Sequence, residues 1–426
     1  MTFHLEVDQN PYLAESADEV NAIVSVTSDR PVRRAASEPV EIIMLDCSGS
    51  MGTPPTKLAE ARRAMGAALD SIRDGVMFAI VRGSHTAEVV YPPPGTYPDD
   101  LAPAAPHTRE EAKASVAHLE ASGGTAMGQW LLQARNLFDR RPDAIHHAIL
   151  LTDGKNESEN DADFDTAIEL CRGRFQCDCR GVGDQYVVAE LRKVSTALLG
   201  TLEMVERPAG LEADFRAMTK AAMGLAVNNV AMRVWIPQGA QLVFLKQVSP
   251  AIVDLTAHGI PVQALTAEYG AGAWGDEARD YHLCVKVPRR PVGEPAMRAA
   301  LVTLTVDGEP AGKANVLAEW TDDAARSTRI NYRVAQYTGQ EELAEMLREG
   351  LDARAAGDNA TATTKLARAA VLAAETGNTV TSERLARITE GDPEKGTFRV
   401  KPHVEGADVM KLDTQSTKTV RVKKPE

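Results

Sequence analysis

Glu41-Ile42-Ile43-Met44-Leu45-Asp46-Cys47-Ser48-Gly49-Ser50-Met51 is the stretch that decides the fold. Glu41–Asp46 is a continuous apolar run closed by an acid, the pattern of a strand buried on both faces. A Ser/Gly turn comes next, and Lys57–Ile72 then carries Leu58, Ala61, Met65, Leu69 and Ile72 at helical spacing. The alternation continues downstream. Val76–Val81 and Glu88–Tyr91 read as strands, Pro92–Pro106 as a Pro-rich loop, and Thr108–Ala121 and Gln129–Phe138 as helices. Thr108-Arg109-Glu110-Glu111 has the Thr-x-x-Glu form of a capping box at a helix start. His147–Thr152 is again strand-like and ends at Asp153-Gly154. Helical Phe164–Cys171, Val187–Leu199 and Leu211–Met223 then alternate with extended Gln176–Val182 and Thr201–Val205. Apolar strands separated by helices of this length specify an α/β fold, a doubly wound and mostly parallel sheet. Such a sheet collects its ligand sites at the carboxyl ends of its strands.

Outside this core the patterns change. Val20–Val26 is β-branched, and Arg30-Pro31 and Glu38-Pro39 punctuate the residues between it and the first core strand, so residues 1–40 read as a strand arm. From Val227 to Ala335 short strands of period two lie between Pro and Gly: Ala231–Ile236, Leu242–Val248, Tyr281–Val287, Ala300–Val306, Val316–Trp320 and Ile330–Val334. That is an antiparallel β-sandwich or barrel, into which the arm is expected to pair to bury its apolar face. Glu341–Thr389 turns helical, with breaks at Gly357-Asp358-Asn359 and Gly377-Asn378. The expected organisation is therefore a strand arm over 1–40, an α/β domain over 41–224 and a β-sandwich over 225–338. A helical hairpin or small bundle over 339–390 and a polar, mobile tail over 391–426 complete it.

Composition narrows the function classes. At 426 residues the chain has room for about three domains of roughly 150 residues each. Forty-seven basic and 60 acidic residues give a net charge of −13, which argues against nucleic acid or anionic lipid as the main target. Aromatics at 5% leave few stacking platforms for bases. No apolar run reaches the 18 residues of a membrane span, and Met1–Asp8 has neither the basic nor the apolar region of a secretory signal. Five cysteines without framework spacing do not make a disulfide scaffold, so the expected compartment is the cytoplasm.

Three segments bring chemistry to one sheet edge. They are Asp46-Cys47-Ser48-Gly49-Ser50-Met51, Ser122-Gly123-Gly124-Thr125-Ala126-Met127 and Thr152-Asp153-Gly154. Together they offer carboxylates and hydroxyls, with glycines that let backbone approach. Hard oxygen donors of this kind suit Mg²⁺ or Mn²⁺ in octahedral coordination. No histidine or thiolate is placed for a softer metal.

Asp-x-Ser-x-Ser, a downstream Gly-Gly-Thr and a strand-ending Thr-Asp-Gly, in this order over Glu41–Met223, resemble a von Willebrand factor type A domain of the cytosolic bacterial type. The resemblance implies a metal-ion-dependent adhesion site. Ser48 and Ser50 would bind the cation through their hydroxyls, and Thr125 would join them in the high-affinity arrangement. Asp46 and Asp153 would bind it directly or through water. It further implies a protein partner that presents Asp or Glu to the metal, in a module that is not an enzyme. The alternative is a regulatory or substrate-delivery subunit of an enzyme complex, either an AAA ATPase or chelatase or a kinase–phosphatase assembly.

Other candidates are weaker. Ser48 lacks Gly-x-Ser-x-Gly context, and His85, His146 and His147 sit in no catalytic motif. Cys47, Cys177 and Cys179 read as small core hydrophobes. Trp235, Trp274 and Trp320 read as packing residues of the β-region, with Trp274, flanked by glycines, offering the alternative of an exposed anchor. In the tail, Thr417 with Val420 three residues on is similar to ligands of forkhead-associated domains, so a phosphothreonine-reading partner is a further expectation.

Overall fold

The computed structural model describes residues 2–29, 38–392 and 397–423. It divides into two compact units. One is continuous but for a four-residue return, residues 38–228 with 272–275. The other is assembled from both ends of the chain, residues 2–29, 229–271 and 276–423.

The continuous unit is the α/β fold. Its sheet runs in the order Leu202–Val205, Gln176–Val182, Ile145–Thr152, Pro39–Asp46, Met77–Gly83, Ala87–Tyr91. The first five strands are parallel, and Ala87–Tyr91 and the short Ala102–Pro103 pair antiparallel with Met77–Gly83. Every residue of Pro39–Asp46 and Ile145–Thr152 is buried, which is why Ile42–Leu45 and Ala148–Leu151 are unbroken apolar runs. The chain leaves Pro39–Asp46 toward one edge and later returns to build the other, so the topological switch point lies between these two strands. Helices Thr56–Ser71, Pro106–Ala117 and Leu211–Ala222 close over one face, around Ile43, Leu45, Met65, Phe78 and Phe215. Helices Met127–Phe138, Asp161–Cys171 and Val188–Ala197 form the second group. Gly83 has no side chain because a Cβ there would lie 2.5 Å from the ring of Trp130, whose indole N–H donates to the Ser84 carbonyl.

The discontinuous unit holds two antiparallel sheets. In the first, Glu19–Ser28 lies between Phe3–Gln9 and Ala278–Lys286, with Gln241–Ser249 and Val253–Asp254 beyond. The second orders Ile260–Gln263, Thr266–Trp274, Val227–Trp235, Met297–Val306, Glu309–Trp320 and Tyr12–Leu13, the last joined in parallel. Helices Tyr332–Ala355, Asn359–Glu375, Thr379–Ile388 and Gly406–Thr414 share a core of Leu343, Leu347, Leu366, Leu372, Leu385 and Leu412. Gly357 and Gly377 break the first three at positive φ, and the side chains of Asp358 and Asn378 cap the helices after them.

Four local expectations are corrected. Ile330–Val334 is not a strand: the Asn331 side chain accepts from the Val334 amide and starts the helix at Tyr332. Thr108 is not the N-cap of its helix. That helix starts at Pro106, and the Thr108 hydroxyl reaches back to accept from the Ala105 amide. Trp274 is not an exposed anchor but fully buried. The stretch after 391 is not a mobile tail over 397–423. Gly406–Thr414 is helical, and the Thr417 carbonyl and Thr419 amide pair with Ile252 and Pro250. Gln340 grips the backbone of Val420 on both sides, and Arg421 reaches buried Asp280. Lys418 forms an antiparallel bridge with Ala251, so the segment is tied to the chain beside Val253–Asp254. A protein that recognised phosphorylated Thr417 would first have to lift it off.

Candidate metal centre

The site is built at the switch point. Asp46 ends its strand, paired in register with Gly83, and its side chain is fully buried. The Ser48 amide donates to Asp46 Oδ1 at 2.7 Å and the Thr152 hydroxyl donates to Oδ2, which fixes the carboxylate from its own loop and from the neighbouring strand. Burial pushes the Asp46 carboxyl up to about 6, against these hydrogen bonds, which favour its charged form. A cation close by would restore the charge.

The loop after Asp46 is clamped to the Gly-Gly-Thr segment. The Ser122 amide donates to the Cys47 carbonyl at 2.7 Å and the Gly49 amide to the Gly123 carbonyl at 2.9 Å. Gly123 takes φ +79°, and its missing Cβ leaves room for the His85 ring. Thr125 precedes the helix at Met127, whose first turn is held from across the site. Asn156 Oδ1 accepts from the Met127 amide and Glu159 Oε1 from the Gly128 amide.

The five expected ligands converge. Ser48 Oγ and Ser50 Oγ lie 3.0 Å apart, and the Ser50 hydroxyl donates to Asp153 Oδ1 at 2.7 Å. A Cβ placed on Gly154 would lie 3.1 Å from Thr125 Oγ1, 3.2 Å from Ser50 Oγ and 3.8 Å from Asp46 Oδ2. Oxygens from all three segments thus surround one point that only a glycine leaves clear. The point opens to a cavity of about 610 Å³ lined by Ser48, Ser50, Thr125, Asp153, Lys155 and Tyr186, among others. This donor set fits a hard divalent cation. Two carboxylates supply charge and three hydroxyls supply neutral oxygen. Among the described residues no group of three or more His, Cys, Asp or Glu offers a competing metal site.

Other residues of the site were not evident from sequence. Lys57, in the first turn of the helix Thr56–Ser71, places its ammonium 2.5 Å from Asp153 Oδ2, with its side chain 11% exposed. Thr152 stands out in sequence only as part of a motif, yet it positions Asp46. Nothing local to either residue announces the contact, since the partners lie 96 and 106 positions away. A catalytic serine finds no support: Ser48 has Ser50 as its hydroxyl neighbour, and no histidine bonds to it. Both ring nitrogens of His146 meet backbone carbonyls, of Arg174 and Arg141, and His147 lies between Glu41 and Asp178. Cys47 is sealed in the core, and burial pushes its thiol up to about 12, so it stays protonated. Cys177 and Cys179 are likewise buried.

Comparison with known proteins agrees with this geometry. The model of the von Willebrand factor type A domain matches residues 42–204, and that of the von Willebrand factor type A C-terminal domain matches residues 371–416. A solved von Willebrand factor type A protein from Catenulispora acidiphila is 47% identical with a TM-score of 0.94, over 99% of this chain and 97% of its own. The ArnB paralogue VWA2 from Sulfolobus acidocaldarius is 14% identical with a TM-score of 0.58, over 98% of each chain. The human COPII-coat protein Sec24c is 12% identical with a TM-score of 0.54, over 90% of this chain and 58% of its own. These last two share the fold alone. No curated protein matches the chain. Domains of this family commonly use a metal-ion-dependent adhesion site for metal-dependent protein interaction. Motif, sheet topology and near-complete alignment at 47% identity agree: the chain belongs to the von Willebrand factor type A family.

Proposed function

We propose that this chain is a non-enzymatic, divalent-cation-dependent protein-interaction module, with Mg²⁺ as its resident ion and Mn²⁺ as a substitute. Asp46, Ser48, Ser50, Thr125 and Asp153 would hold the cation. Bound there, it would act as a Lewis acid that accepts one more oxygen, supplied by an Asp or Glu of a protein partner. The observation that carries this reading is the clear point above Gly154, surrounded by oxygens of Thr125, Ser50 and Asp46 at the mouth of the cavity.

The protein's own residues do the preparatory work. Ser48 and Thr152 hold the Asp46 carboxylate in place, and the Cys47–Ser122 and Gly49–Gly123 backbone bonds keep the serines facing Thr125. An arrangement fixed before binding loses little entropy when a partner arrives. The cavity rim carries Lys155 beside Glu157 and Asp184, so a partner acid would be drawn in mainly by the cation. No helix among the described residues is long and apolar enough to cross a membrane. We place the interaction in the cytoplasm.

The test is affinity capture of partners with the full chain in Mg²⁺, in chelator, and with Asp46→Ala. Partners should be retained in Mg²⁺ and lost in the other two arms, while circular dichroism of Asp46→Ala stays native. Identical recovery in all three arms would remove the metal from the interface.

A further inference from the structure

Lys57 is a feature that the five-ligand description leaves unexplained. Its residue is buried, and its ammonium lies 2.5 Å from Asp153 Oδ2, an oxygen of a fully buried side chain. The other oxygen of the same carboxylate, Oδ1, accepts from Ser50. Asp153 therefore turns one oxygen toward the oxygen cluster and has the other committed to a cation that belongs to the chain. Asp46, the second buried acid of the site, has no such partner: its oxygens take hydrogen bonds from the Ser48 amide and the Thr152 hydroxyl.

These contacts set the charge of the site. Two carboxylates alone would give it two negative charges in a poorly solvated place, and a divalent ion would cancel them. With Lys57 the ion-free site carries about one net negative charge, and the loaded site one net positive charge. Each state acquires a distinct property. The ion-free site does not need metal to relieve repulsion between its acids, so the fold stands without it. The loaded site keeps a surplus positive charge for an anionic group from outside. The cost is weaker binding of the metal itself, because Lys57 repels it at close range.

Building on the metal-site reading above, we infer that Lys57 is a resident counter-cation that trades metal affinity for stability of the ion-free site and for attraction of a partner carboxylate. It is a positioning residue for Asp153, not a ligand. Lys57→Met keeps much of the length and removes the charge. Lys57→Arg keeps the charge.

The experiment titrates Mn²⁺ into the full chain by calorimetry and records thermal unfolding in chelator, for wild type, Lys57→Met and Lys57→Arg, with Asp46→Ala as control. Lys57→Met should bind Mn²⁺ at least about tenfold more tightly, the scale of one charge–charge interaction at high effective dielectric. It should also melt lower than wild type in chelator and recover the difference when Mn²⁺ is added. Lys57→Arg should stay near wild type in both readings. Unchanged or weaker Mn²⁺ binding by Lys57→Met would overturn the inference, as would unchanged melting in chelator. If Lys57→Met does not fold even with Mn²⁺, Lys57→Gln replaces it under the same criteria. Failure of the metal site itself looks different: neither wild type nor any Lys57 variant would bind Mn²⁺, and Asp46→Ala would behave as they do.

Discussion

The two ends of the central strand pair contain nearly the same charges and do different things. At the carboxyl end, Asp46 lies beside Asp153, which pairs with one cation, Lys57. At the amino end, Glu41 and, from the next strand Gln176–Val182, Asp178 flank His147. Nδ1 of His147 lies 2.9 Å from Glu41 Oε1, and its Nε2 lies 3.2 Å from Asp178 Oδ2. Each end brings together two acids and one base. The amino end is sealed, with His147 and Glu41 both buried and the spare Asp178 oxygen accepting from the amide and hydroxyl of Thr201. The carboxyl end adds three hydroxyls, a glycine that leaves room, and an open cavity. Buried charge alone therefore marks stability here. At the carboxyl end the charge converges with neutral donors beside an open cavity, the arrangement on which the proposed metal-dependent role rests.

That contrast can be broken most forcefully at the sealed end. His147→Ala leaves Glu41 and Asp178 without their shared cation and should cost about 3–5 kcal/mol of unfolding free energy. The metal site lies five residues along the strand, roughly 16 Å away. Mn²⁺ affinity of the folded variant should therefore stay within about twofold of wild type. Urea denaturation and calorimetry on the same sample decide it, and a large loss of Mn²⁺ affinity would show that the ends are coupled.

Part of that energy should be visible as pH dependence. Burial pulls the His147 imidazolium down, but the charge of Glu41 and the hydrogen bond to Asp178 outweigh it and hold the ring up at about 10, against an ordinary 6.5. A raised group contributes stability that is complete below its unfolded value and is lost as pH rises through the folded one. The contribution of His147 should thus be intact at pH 6, shrink from about 6.5 upward and vanish above about 10. Asp178 is held below its usual range; burial opposes this, but His147 and Arg180 prevail. Its contribution is present above about 3.8 and falls away in acid. Urea midpoints at pH 6, 8 and 10 should decline for wild type more than for His147→Ala. Parallel declines would mean that the triad is not the titrating element.

The smallest effect is expected at the carboxyl end. In Gly154→Ala the new methyl would lie 3.1–3.2 Å from Thr125 Oγ1 and Ser50 Oγ, so it would occupy the space between the donors. Mn²⁺ affinity should fall by about tenfold or more, about 1.4 kcal/mol, with the melting temperature in chelator nearly unchanged. Unaltered Mn²⁺ binding would move the ion away from that point.

Much of this was legible in the sequence because four of the five expected ligands lie at or just after strand ends. An apolar run fixes the strand, its last residue must emerge at the edge, and Ser48 and Ser50 come within a turn of it. Lys57 was not legible, since the contact depends on the phase of a helix relative to a strand that begins 88 residues later, at Ile145. His147 carried no motif either, although Glu41 and His147 are directly paired across neighbouring strands once the sheet order is known. Trp274 misled because flanking glycines suggest a loop. Here Gly275 admits the backbone of Gly224, and a Cβ on it would lie 2.8 Å from that carbonyl. The C-terminal segment misled through its polarity: the Thr419 hydroxyl donates to the Val248 carbonyl, Arg421 pairs with Asp280 and Gln340 holds the Val420 backbone, which local composition does not reveal.

The discontinuous unit has a consequence for biosynthesis. Ser28 meets Glu277, 249 positions further on, and Glu19–Ser28 takes Ala278–Lys286 as its second neighbour in the sheet. At elongation rates of roughly 5–20 residues per second, the early strand waits about 12–50 s for that partner to emerge from the ribosome. Residues 38–228 are delivered within this interval and contain almost all of the α/β unit, its five oxygen donors included. Assembly thus runs from the middle of the chain outward, and the first strands made are among the last to be completed.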